Sequence, residues 1–463
     1  MFKRLLIANR GEIAVRIIRA CQELGIETVA VYSHADADAL HVKLADHACH
    51  IGPEDALHSY LNNAAIITAA LESKADAVHP GYGFLSENAV FAEMVEQAGL
   101  TFVGPRPETI KLVGNKDSAR EAMKHAGLLM AAGSDPVSSE KEACLLAEKI
   151  GYPVMVKPVA GGGGKGMTVA ADNSELINAV KHFPAAGGSF YLEKYIADAR
   201  HIEVQIVADS FGHVIHLGER ECSLQRRNQK LLEEAPSAAL TPAMRQQVGE
   251  LAIRAAKSIH YSNVGTVEFL LDQSGNFYFM EINPRIQVEH GITELITGID
   301  LVKTQIQAAA GEPLAIQQQD VVIRGHAIEC RINAEDPVRN FLPSPGQINF
   351  YHQPGGPNVR VDSGVCAGSI VQPYYDSLIA KVIVYGHTRG EAIKTMRRAL
   401  KEFHIGGINT TVGFHHQLLN DPNFCNGDID TQFVTKFLSS QERKLALDSN
   451  VWTMMNGNVA FGL

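Results

Sequence analysis

Four clusters of residues carry types and spacings that could do chemistry. The first is Lys157-Pro158-Val159-Ala160-Gly161-Gly162-Gly163-Gly164-Lys165-Gly166-Met167. Glycines let backbone N–H groups approach phosphate oxygens, and flanking lysines neutralise their charge. The segment is not a Walker A loop, which needs Gly where Val159 stands and Ser or Thr where Gly166 stands. A flexible linker is the bland alternative. The runs 153–156 and 167–169 on either side are strand-like, which favours a loop over a ligand.

The second cluster is a hairpin, residues 265–272 and 277–283. Alternation puts Glu281 and Asn283 on one face. With the four-residue loop 273–276, Asp272 pairs with Phe277 and Glu268 lies opposite Glu281. Facing carboxylates repel unless a cation sits between them, and hard oxygen ligands beside a phosphate loop suggest Mg²⁺ or Mn²⁺. The third cluster follows directly: Pro284-Arg285-Ile286-Gln287-Val288-Glu289-His290. If extended, Arg285, Gln287 and Glu289 share a face. The planar Arg fork suits a small oxyanion, and Glu can act as a base. A structural ion pair is the alternative. The fourth is residues 219–230, in which Cys222 reads as a buried inert thiol rather than one activated by Lys230. His125, His182 and His260 read as ordinary surface or core residues.

The elements that must position these groups are legible in outline. Residues 5–9, 27–32, 75–79 and 100–104 are strand-like. A helical repeat of Ile13, Ile17, Cys21 and Leu24 follows the first run, and residues 87–98 are helical. This is a parallel α/β unit. Asn9-Arg10-Gly11-Glu12-Ile13 lacks the Gly-x-Gly-x-x-Gly of a dinucleotide site. Residues 105–116 read as a connector, and 130–196 as a small α/β module around the glycine loop. Beyond 197 the chain is strand-rich and then mixed, with strands at 324–336 and 346–350, turns at 343–346 and 354–357, and a helix at 388–403.

Composition bounds the rest. A chain of 463 residues suggests about three domains. Hydrophobic residues at 46% with 20% charged describe a globular chain, not a disordered one. Net charge is −10, from 41 basic and 51 acidic residues, which disfavours nucleic acid. The short basic runs 225–230 and 396–398 read as solvated faces. Seven scattered cysteines without a Cys-x-x-Cys fit a reducing cytosol. The N-terminal apolar run is too short for a signal peptide, and no stretch approaches a membrane span. A cytoplasmic protein is expected, with no nucleic acid and no membrane as partner.

Together these segments resemble the biotin carboxylase family, within the ATP-grasp superfamily. The resemblance runs from Ile7-Ala8-Asn9-Arg10-Gly11-Glu12-Ile13-Ala14 to about Gly427. It includes residues 79–88, the glycine loop, 200–205, 281–290, 329–336 and Pro373-Tyr374-Tyr375-Asp376-Ser377. It implies α/β and α+β architecture: a Rossmann-like parallel N-terminal domain (1–112), an ATP-grasp region (113–325) with a mobile lid at about 130–196, a mixed α+β C-terminal domain (326–445) and an unplaced tail (446–463).

The resemblance further implies that ATP phosphorylates bicarbonate to carboxyphosphate, whose breakdown gives CO₂ for capture by N1 of biotin. By matching position, Lys116, Lys157, Gly162, Gly163, Gly164, Lys165 and Gly166 would hold ATP phosphates. Glu193, Lys194, Tyr195 and Ile196 would form the adenine hinge, with His201 and Gln225 on the nucleoside and Asn228 in the nucleotide-contact loop. Glu268, Glu281 and Asn283 would hold Mg²⁺ or Mn²⁺. Arg285, Gln287 and the Val288 backbone would hold bicarbonate, with Lys230 nearby. Glu289 would be the general base, and Arg331 would stabilise the biotin enolate.

No Met-Lys-Met segment is present, so biotin is expected on a separate carrier protein. Carboxyltransferase subunits are the other expected partners, and the chain is expected to be a homodimer. The acceptor is acetyl-CoA, which would place the chain in fatty acid biosynthesis, or else another acyl-CoA, pyruvate or 2-oxoglutarate. The sequence departs from the family at Asn228 (usually His), Ala160 (Gly), Lys165 (Arg) and Gly291 (Pro). It also has a shorter segment at 181–190 and a tail, 439–463, with the single tryptophan Trp452. Two other functions fit parts of the pattern. An ATP-grasp ligase joining a carboxylate to an amine shares the lid and hairpin but does not need Arg285, Gln287, Glu289 and Arg331 together. A nucleotide-binding paralogue without turnover would be signalled by Asn228 and the short segment.

Overall fold

The computed structural model describes residues 1–158, 166–181 and 189–441. Strands β1 (Arg4–Ile7), β2 (Glu27–Ser33), β3 (His47–Gly52), β4 (Ala77–His79) and β5 (Thr101–Phe102) form a parallel sheet in the order β3-β2-β1-β4-β5. Leu5, Leu6 and Ile7 are all fully buried, as expected of a strand covered on both faces. The helix Gly11–Glu23 buries Ile13, Ile17 and Cys21 of the predicted repeat, while Leu24, its fourth member, is half-buried at the C-terminal boundary of the helix.

Two expectations need correction. β3 is an additional strand with no clear sequence signal, because His47 and His50 make it polar and it lies at the sheet edge. Residues 105–116 are not a connector: most of them form the helix Pro107–Gly114, with Ile110 and Val113 buried. Proline fits the first turn of a helix, where no N–H is needed.

After β6 (Leu129–Met130), the chain builds a compact module. Strands β7 (Val154–Pro158), β8 (Thr168–Ala170) and β9 (Phe190–Lys194) are antiparallel in the order β8-β7-β9. Helices Glu140–Ile150 and Asn173–Val180 pack on them around Val154, Val156, Ala147, Leu176 and Leu192. The glycines between β7 and β8 lie outside the described residues up to Gly166. So do residues 182–188, His182 among them, and everything beyond 441.

The largest sheet has nine strands. β10 (Arg200–Ala208), β11 (Val214–Arg226), β12 (Gln229–Ala235), β13 (Asn263–Leu271), β14 (Phe277–Asn283) and β15 (His326–Asn333) combine with Val359–Ser363 and Leu378–Gly386. The order is Val359–Ser363, Leu378–Gly386, β15, β12, β11, β10, β13, β14, β6. It is antiparallel except where β14 meets β6. The sheet runs unbroken across residue 325, because β15 pairs directly with β12. Strand alternation divides its chemistry. Ile202, Val204 and Ile206 of β10 join the core beneath helix Pro242–Ser258, with Val248, Ala252 and Ala255. His201, Glu203 and Gln205 take the opposite face. The run expected at 346–350 is two short strands, Gly346–Gln347 and Phe350–His352. The late helix is Arg389–Glu402, capped by Thr388.

A buried histidine gives the fold a measurable pH dependence. His41, fully buried, donates from Nε2 to the Val31 carbonyl at 3.2 Å. Burial pulls its pKa from 6.5 to about 4. The unfolded chain therefore binds a proton that the folded chain refuses, so stability falls as pH drops from 6.5 towards 4. The slope from this one group is at most about 1.4 kcal/mol per pH unit. Urea titrations across that range should show a shallower pH slope for His41→Gln than for the wild type. Superimposable slopes would contradict the assignment.

Candidate active site

The polar face of the nine-stranded sheet concentrates charge because four neighbouring strands each direct acidic or basic residues to it. Register sets Glu203 of β10 opposite Arg220 of β11 on one side and opposite Glu268 of β13 on the other. Lys230, near the start of β12, reaches across and donates to Glu203 Oε2, to Glu268 Oε1 at 3.0 Å and to Glu289 Oε1 at 2.7 Å. Far from being a solvated cation of a basic run, it is largely buried among three carboxylates. The other basic run is divided: Met396 is fully buried and Arg397 donates to the Leu419 carbonyl at 3.0 Å, while Arg398 is exposed as expected.

Glu289 is fully buried and held from two sides. Lys230 binds Oε1, and Arg331 Nη2 donates to Oε2 at 2.9 Å. Burial alone would raise its pKa; Lys230, Arg331 and Arg220 outweigh it and hold the carboxyl well below its usual range. Arg331 Nε donates in turn to Glu233 Oε1 at 2.6 Å. Burial pushes the Glu233 carboxyl up to about 7, against the pull of Arg331. Glu329, directly opposite Glu233 in the β12–β15 pair, is likewise raised by burial. Arg220, wholly buried, binds Glu203, Gln205 Oε1 at 2.6 Å, Thr293 Oγ1 at 3.0 Å and Thr266 Oγ1 at 3.1 Å. It thereby anchors the sheet floor to the helix His290–Thr297.

The segment 284–290 is not extended. It turns after β14, and Glu289 sits at the N-terminal boundary of helix His290–Thr297. Arg285, Gln287 and Glu289 therefore converge through a turn, not through strand alternation. Arg285 Nη1 donates to Gln287 Oε1 at 3.0 Å, Nη2 to Asn283 Oδ1 at 3.3 Å, and Nε to Glu87. Gln287 Nε2 and Asn283 Nδ2 both donate to Glu268 Oε1, at 3.2 and 2.9 Å. The turn is pinned from below by Lys381, fully buried, whose Nζ donates to the Val288 carbonyl and pairs with Glu12 Oε1 at 3.4 Å. The Tyr82 hydroxyl donates to the same Glu12 oxygen. Gly364 packs so closely here that a Cβ on it would stand 2.6 Å from the Glu12 backbone nitrogen.

Glu268 and Glu281 are register partners. The path to that pairing differs from the expectation. Leu271, not Asp272, pairs with Phe277, and a bulge at Met280 shifts the register by one residue before Glu281. Glu281 is exposed, and its carboxyl is raised by the desolvation that the surrounding chain imposes and by the Glu268 and Glu87 charges. His201, buried, lies with Nε2 3.1 Å from Glu268 Oε2 and accepts at Nδ1 from Gln225 Nε2 at 2.7 Å. Burial lowers its pKa, but the Glu268 charge more than offsets this and raises it. His201, Glu203 and Glu268 bring possible ligand atoms within 4.8 Å of one another, as do Glu203, Cys222 and Glu289. The Lys230 ammonium already bonds the carboxylates of both sets. Cys222 is buried and its thiol is pushed far up by burial, consistent with an inert residue.

Lys116 is exposed at the start of helix Lys116–His125. Lys157, on β7, pairs with Glu193 of β9, which also takes Arg120 at 3.4 Å. Lys194 donates to the Gly151 and Tyr152 carbonyls at 2.9 and 2.8 Å, so its ammonium fixes the start of β7. Ile196 is half-buried. Gly166 closes the glycine segment with φ +77°, while Gly162, Gly163, Gly164 and Lys165 lie outside the described residues. Arg227 and Asn228, at φ 51° and 62°, form the two-residue turn between paired Arg226 and Gln229. Asn tolerates that left-handed conformation well, which gives Asn228 a local backbone reason. His125 and His260 are exposed.

The expectations missed Glu87, Glu203, Glu233, Arg220, Glu12 and Lys381. Glu203 was detectable from β10 alternation. Glu233 was not, because it stands in a Glu233-Glu234 doublet whose members face opposite ways: Glu234 binds His326 and Arg389.

Comparison with known sequences and structures places the chain. Three family profiles match in succession: "Biotin carboxylase, N-terminal domain" over residues 1–110, "Carbamoyl-phosphate synthase L chain, ATP binding domain" over 115–317, and "Biotin carboxylase C-terminal domain" over 329–436. Biotin carboxylase 1 of Bacillus subtilis is 56% identical over 445 residues, covering 94% of this chain and 99% of the relative. The crystal structure of the biotin carboxylase domain dimer of Hydrogenobacter thermophilus 2-oxoglutarate carboxylase, in complex with MgADP, ADP and bicarbonate, superposes with a TM-score of 0.90. It shares 49% identity and covers 94% of this chain and 98% of that one. The crystal structure of the biotin carboxylase component of a pyruvate carboxylase superposes with a TM-score of 0.83 at 50% identity, covering 94% and 98%. Matches of this extent, on a fold with the expected parallel, ATP-grasp and C-terminal parts, show that the chain belongs to the biotin carboxylase family, ATP-dependent ligases that serve as the biotin carboxylase subunits of biotin-dependent carboxylases.

Proposed function

We propose that this chain uses ATP to activate bicarbonate and carboxylates biotin on a separate biotin carboxyl carrier protein, and that carboxyltransferase subunits then pass the carboxyl group to acetyl-CoA. The observation that carries the reading is one ionised, fully buried carboxylate, Glu289, held between Lys230 and Arg331 beside the Arg285–Gln287 pair. That arrangement fits an oxyanion, a proton acceptor and a planar acceptor of negative charge within one turn of chain. The MgADP and bicarbonate held by the Hydrogenobacter domain are ligands of this chemistry.

In this reading Arg285, Gln287 and the Val288 backbone orient bicarbonate, and Glu289 removes its proton so that the oxyanion attacks the γ-phosphorus, the bond to the β-phosphate breaks, and ADP leaves as carboxyphosphate forms. Lys116, Lys157 and the glycine loop neutralise the phosphates, and Glu193, Lys194 and Ile196 border the base, with His201, Gln225 and Asn228 along the nucleoside. Carboxyphosphate breaks into CO₂ and phosphate, the phosphate takes the proton of biotin N1, and N1 forms its bond to the CO₂ carbon, with Arg331 on the ureido oxygen. Closure of the β7–β9 module excludes water and protects carboxyphosphate from hydrolysis. Glu268, Glu281 and Asn283 fit a divalent cation, because Glu281 faces Glu268 and Glu87 and all three offer hard oxygen atoms. When bound, Mg²⁺ or Mn²⁺ supplies charge neutralisation to the phosphates.

Steady-state ATP cleavage with and without bicarbonate, free biotin and Mg²⁺ tests the reading. Cleavage should need bicarbonate, rise with biotin and vanish with a chelator. Indifference to both bicarbonate and biotin would overturn it. The acceptor is tested by capturing the biotinylated partner with its carboxyltransferase and assaying acetyl-CoA, pyruvate and 2-oxoglutarate. Turnover with pyruvate or 2-oxoglutarate alone would replace acetyl-CoA, and sedimentation of the chain tests the homodimer.

A further inference from the structure

His290 is fully buried directly behind Glu289, and no step of the functional reading uses its imidazole. Its Nδ1 stands 2.8 Å from the Gln287 carbonyl oxygen. A carbonyl oxygen only accepts, so Nδ1 carries the hydrogen. Burial, with the Lys381, Arg16 and Arg360 charges, holds the ring well below its usual pKa, so it is neutral and Nε2 is bare. Nε2 has no hydrogen-bond partner among the described residues. The Glu294 carboxylate, 4.0 Å from it, is taken by Arg16 and Arg360. A buried ring nitrogen left unpaired costs stability that an apolar side chain of similar size would not. What the ring supplies in return is the Nδ1 bond.

That bond acts through a peptide plane. The peptide joining Gln287 to Val288 is trans, since the cis bonds among the described residues lie at 152–153 and 235–236. In a planar trans peptide the C=O and the following N–H point in opposite directions. Holding the Gln287 oxygen against His290 therefore sets the direction of the Val288 N–H. That N–H donates to no protein group among the described residues, and Val288 is half-buried. The carbonyls on either side have other holders: Arg285 Nη1 donates to Ile286 at 3.3 Å, and Lys381 to Val288. The His290 backbone N–H reaches the Gln287 oxygen only at 3.4 Å, so the imidazole makes the shorter of its two bonds. We propose that His290 is a positioning residue that grips the Gln287 carbonyl from behind and so aims the Val288 N–H at bicarbonate. The inference rests on the functional reading above, which places bicarbonate at the Val288 backbone.

The test uses the full chain with bicarbonate as the varied substrate and MgATP and free biotin in excess. His290→Asn and His290→Gln separate the two ring nitrogens, because an asparagine amide falls near the place of Nδ1 and a glutamine amide near that of Nε2. His290→Gln should raise the KM for bicarbonate about three- to tenfold, the size of one neutral hydrogen bond, and His290→Asn should stay within about twofold of wild type. In both, the KM for ATP should stay within about twofold, and kcat should fall less than the bicarbonate KM rises, since the lost contact serves binding. Loss of packing alone would move both variants and both KM values together. Equal bicarbonate KM values in the two variants, or a glutamine variant within about twofold of wild type, overturn the assignment. Nitrogen NMR of the wild-type chain gives a readout that needs no variant: the buried ring should carry its proton on Nδ1, and a ring protonated on Nε2 alone overturns the assignment as well. A wild-type chain whose ATP cleavage ignores bicarbonate overturns the functional reading, whereas intact bicarbonate dependence with unmoved variants overturns only the role of His290.

Discussion

Replacing Glu289 with glutamine is expected to lower biotin- and bicarbonate-dependent ATP cleavage by about 10²- to 10⁴-fold, the range for loss of a positioned general base. The side chain is fully buried and Lys230 and Arg331 fix its orientation, so no solvent base reaches the same point. Glutamine preserves volume and can still accept from Lys230, which retains Glu203 and Glu268. Thermal stability should therefore change little while turnover falls. Because the Glu289 carboxyl lies well below its usual range, it stays ionised through mild acid, and the free enzyme should show no loss of this base between neutrality and about pH 5. Activity of Glu289→Gln within tenfold of wild type would remove the base role.

Lys230→Met should have its largest effect on the fold itself. Lys230 bonds Glu203, Glu268 and Glu289, two of them fully buried and the third nearly so. Removing one partner of a buried charge cluster costs about 3–5 kcal/mol, because the remaining charges lose their compensation. Arg220 and Arg331 retain part of the neutralisation of Glu203 and Glu289, whereas Glu268 keeps only His201 as a charged neighbour within salt-bridge distance among the described residues. The lost cation raises the pKa of these acids, so the variant should recover stability as pH falls from about 7 to 5 and the carboxylates take up protons. Urea unfolding at both pH values measures this. A variant as stable as wild type at neutral pH would show that Lys230 does not neutralise the cluster.

Much of the architecture was legible because its signals are local. The parallel sheet shows in Leu5-Leu6-Ile7 and the helical repeat that follows, and the small module of β7, β8 and β9 in the strand-like flanks of the glycine run. The hairpin shows how a correct pairing can arise from an incorrect path. Residue 272 does not end the first strand: its carboxylate instead accepts the N–H groups of Ser274 and Asn276, lengthening the loop by one residue. The bulge at Met280 then returns the register, so Glu268 still meets Glu281. Neither event has a sequence signal of its own. The 285–289 turn was hidden for a different reason. Its shape is imposed by long-range donors, Lys381 and Arg331, that lie about ninety and forty residues away in sequence. Glu203, Arg220 and Glu233 were unreadable as a group because their association is a property of strand order, which alternation within one strand cannot reveal.

The contact beneath the Val288 carbonyl has a consequence for how this chain can be recombined. Lys381 comes from the last third of the sequence, Glu12 and Tyr82 from the first hundred residues, and the turn they hold from the middle. The 284–290 turn is thus common property of three stretches, none of which can be inherited separately. A chimera whose crossover falls near residue 110 must receive a carboxylate at 12 and a hydroxyl at 82 matched to the lysine at 381. It must also receive an N-terminal helix that tolerates the close approach of Gly364. Exchange among relatives is therefore constrained at Glu12, Tyr82, Gly364 and Lys381 as well as at the turn itself.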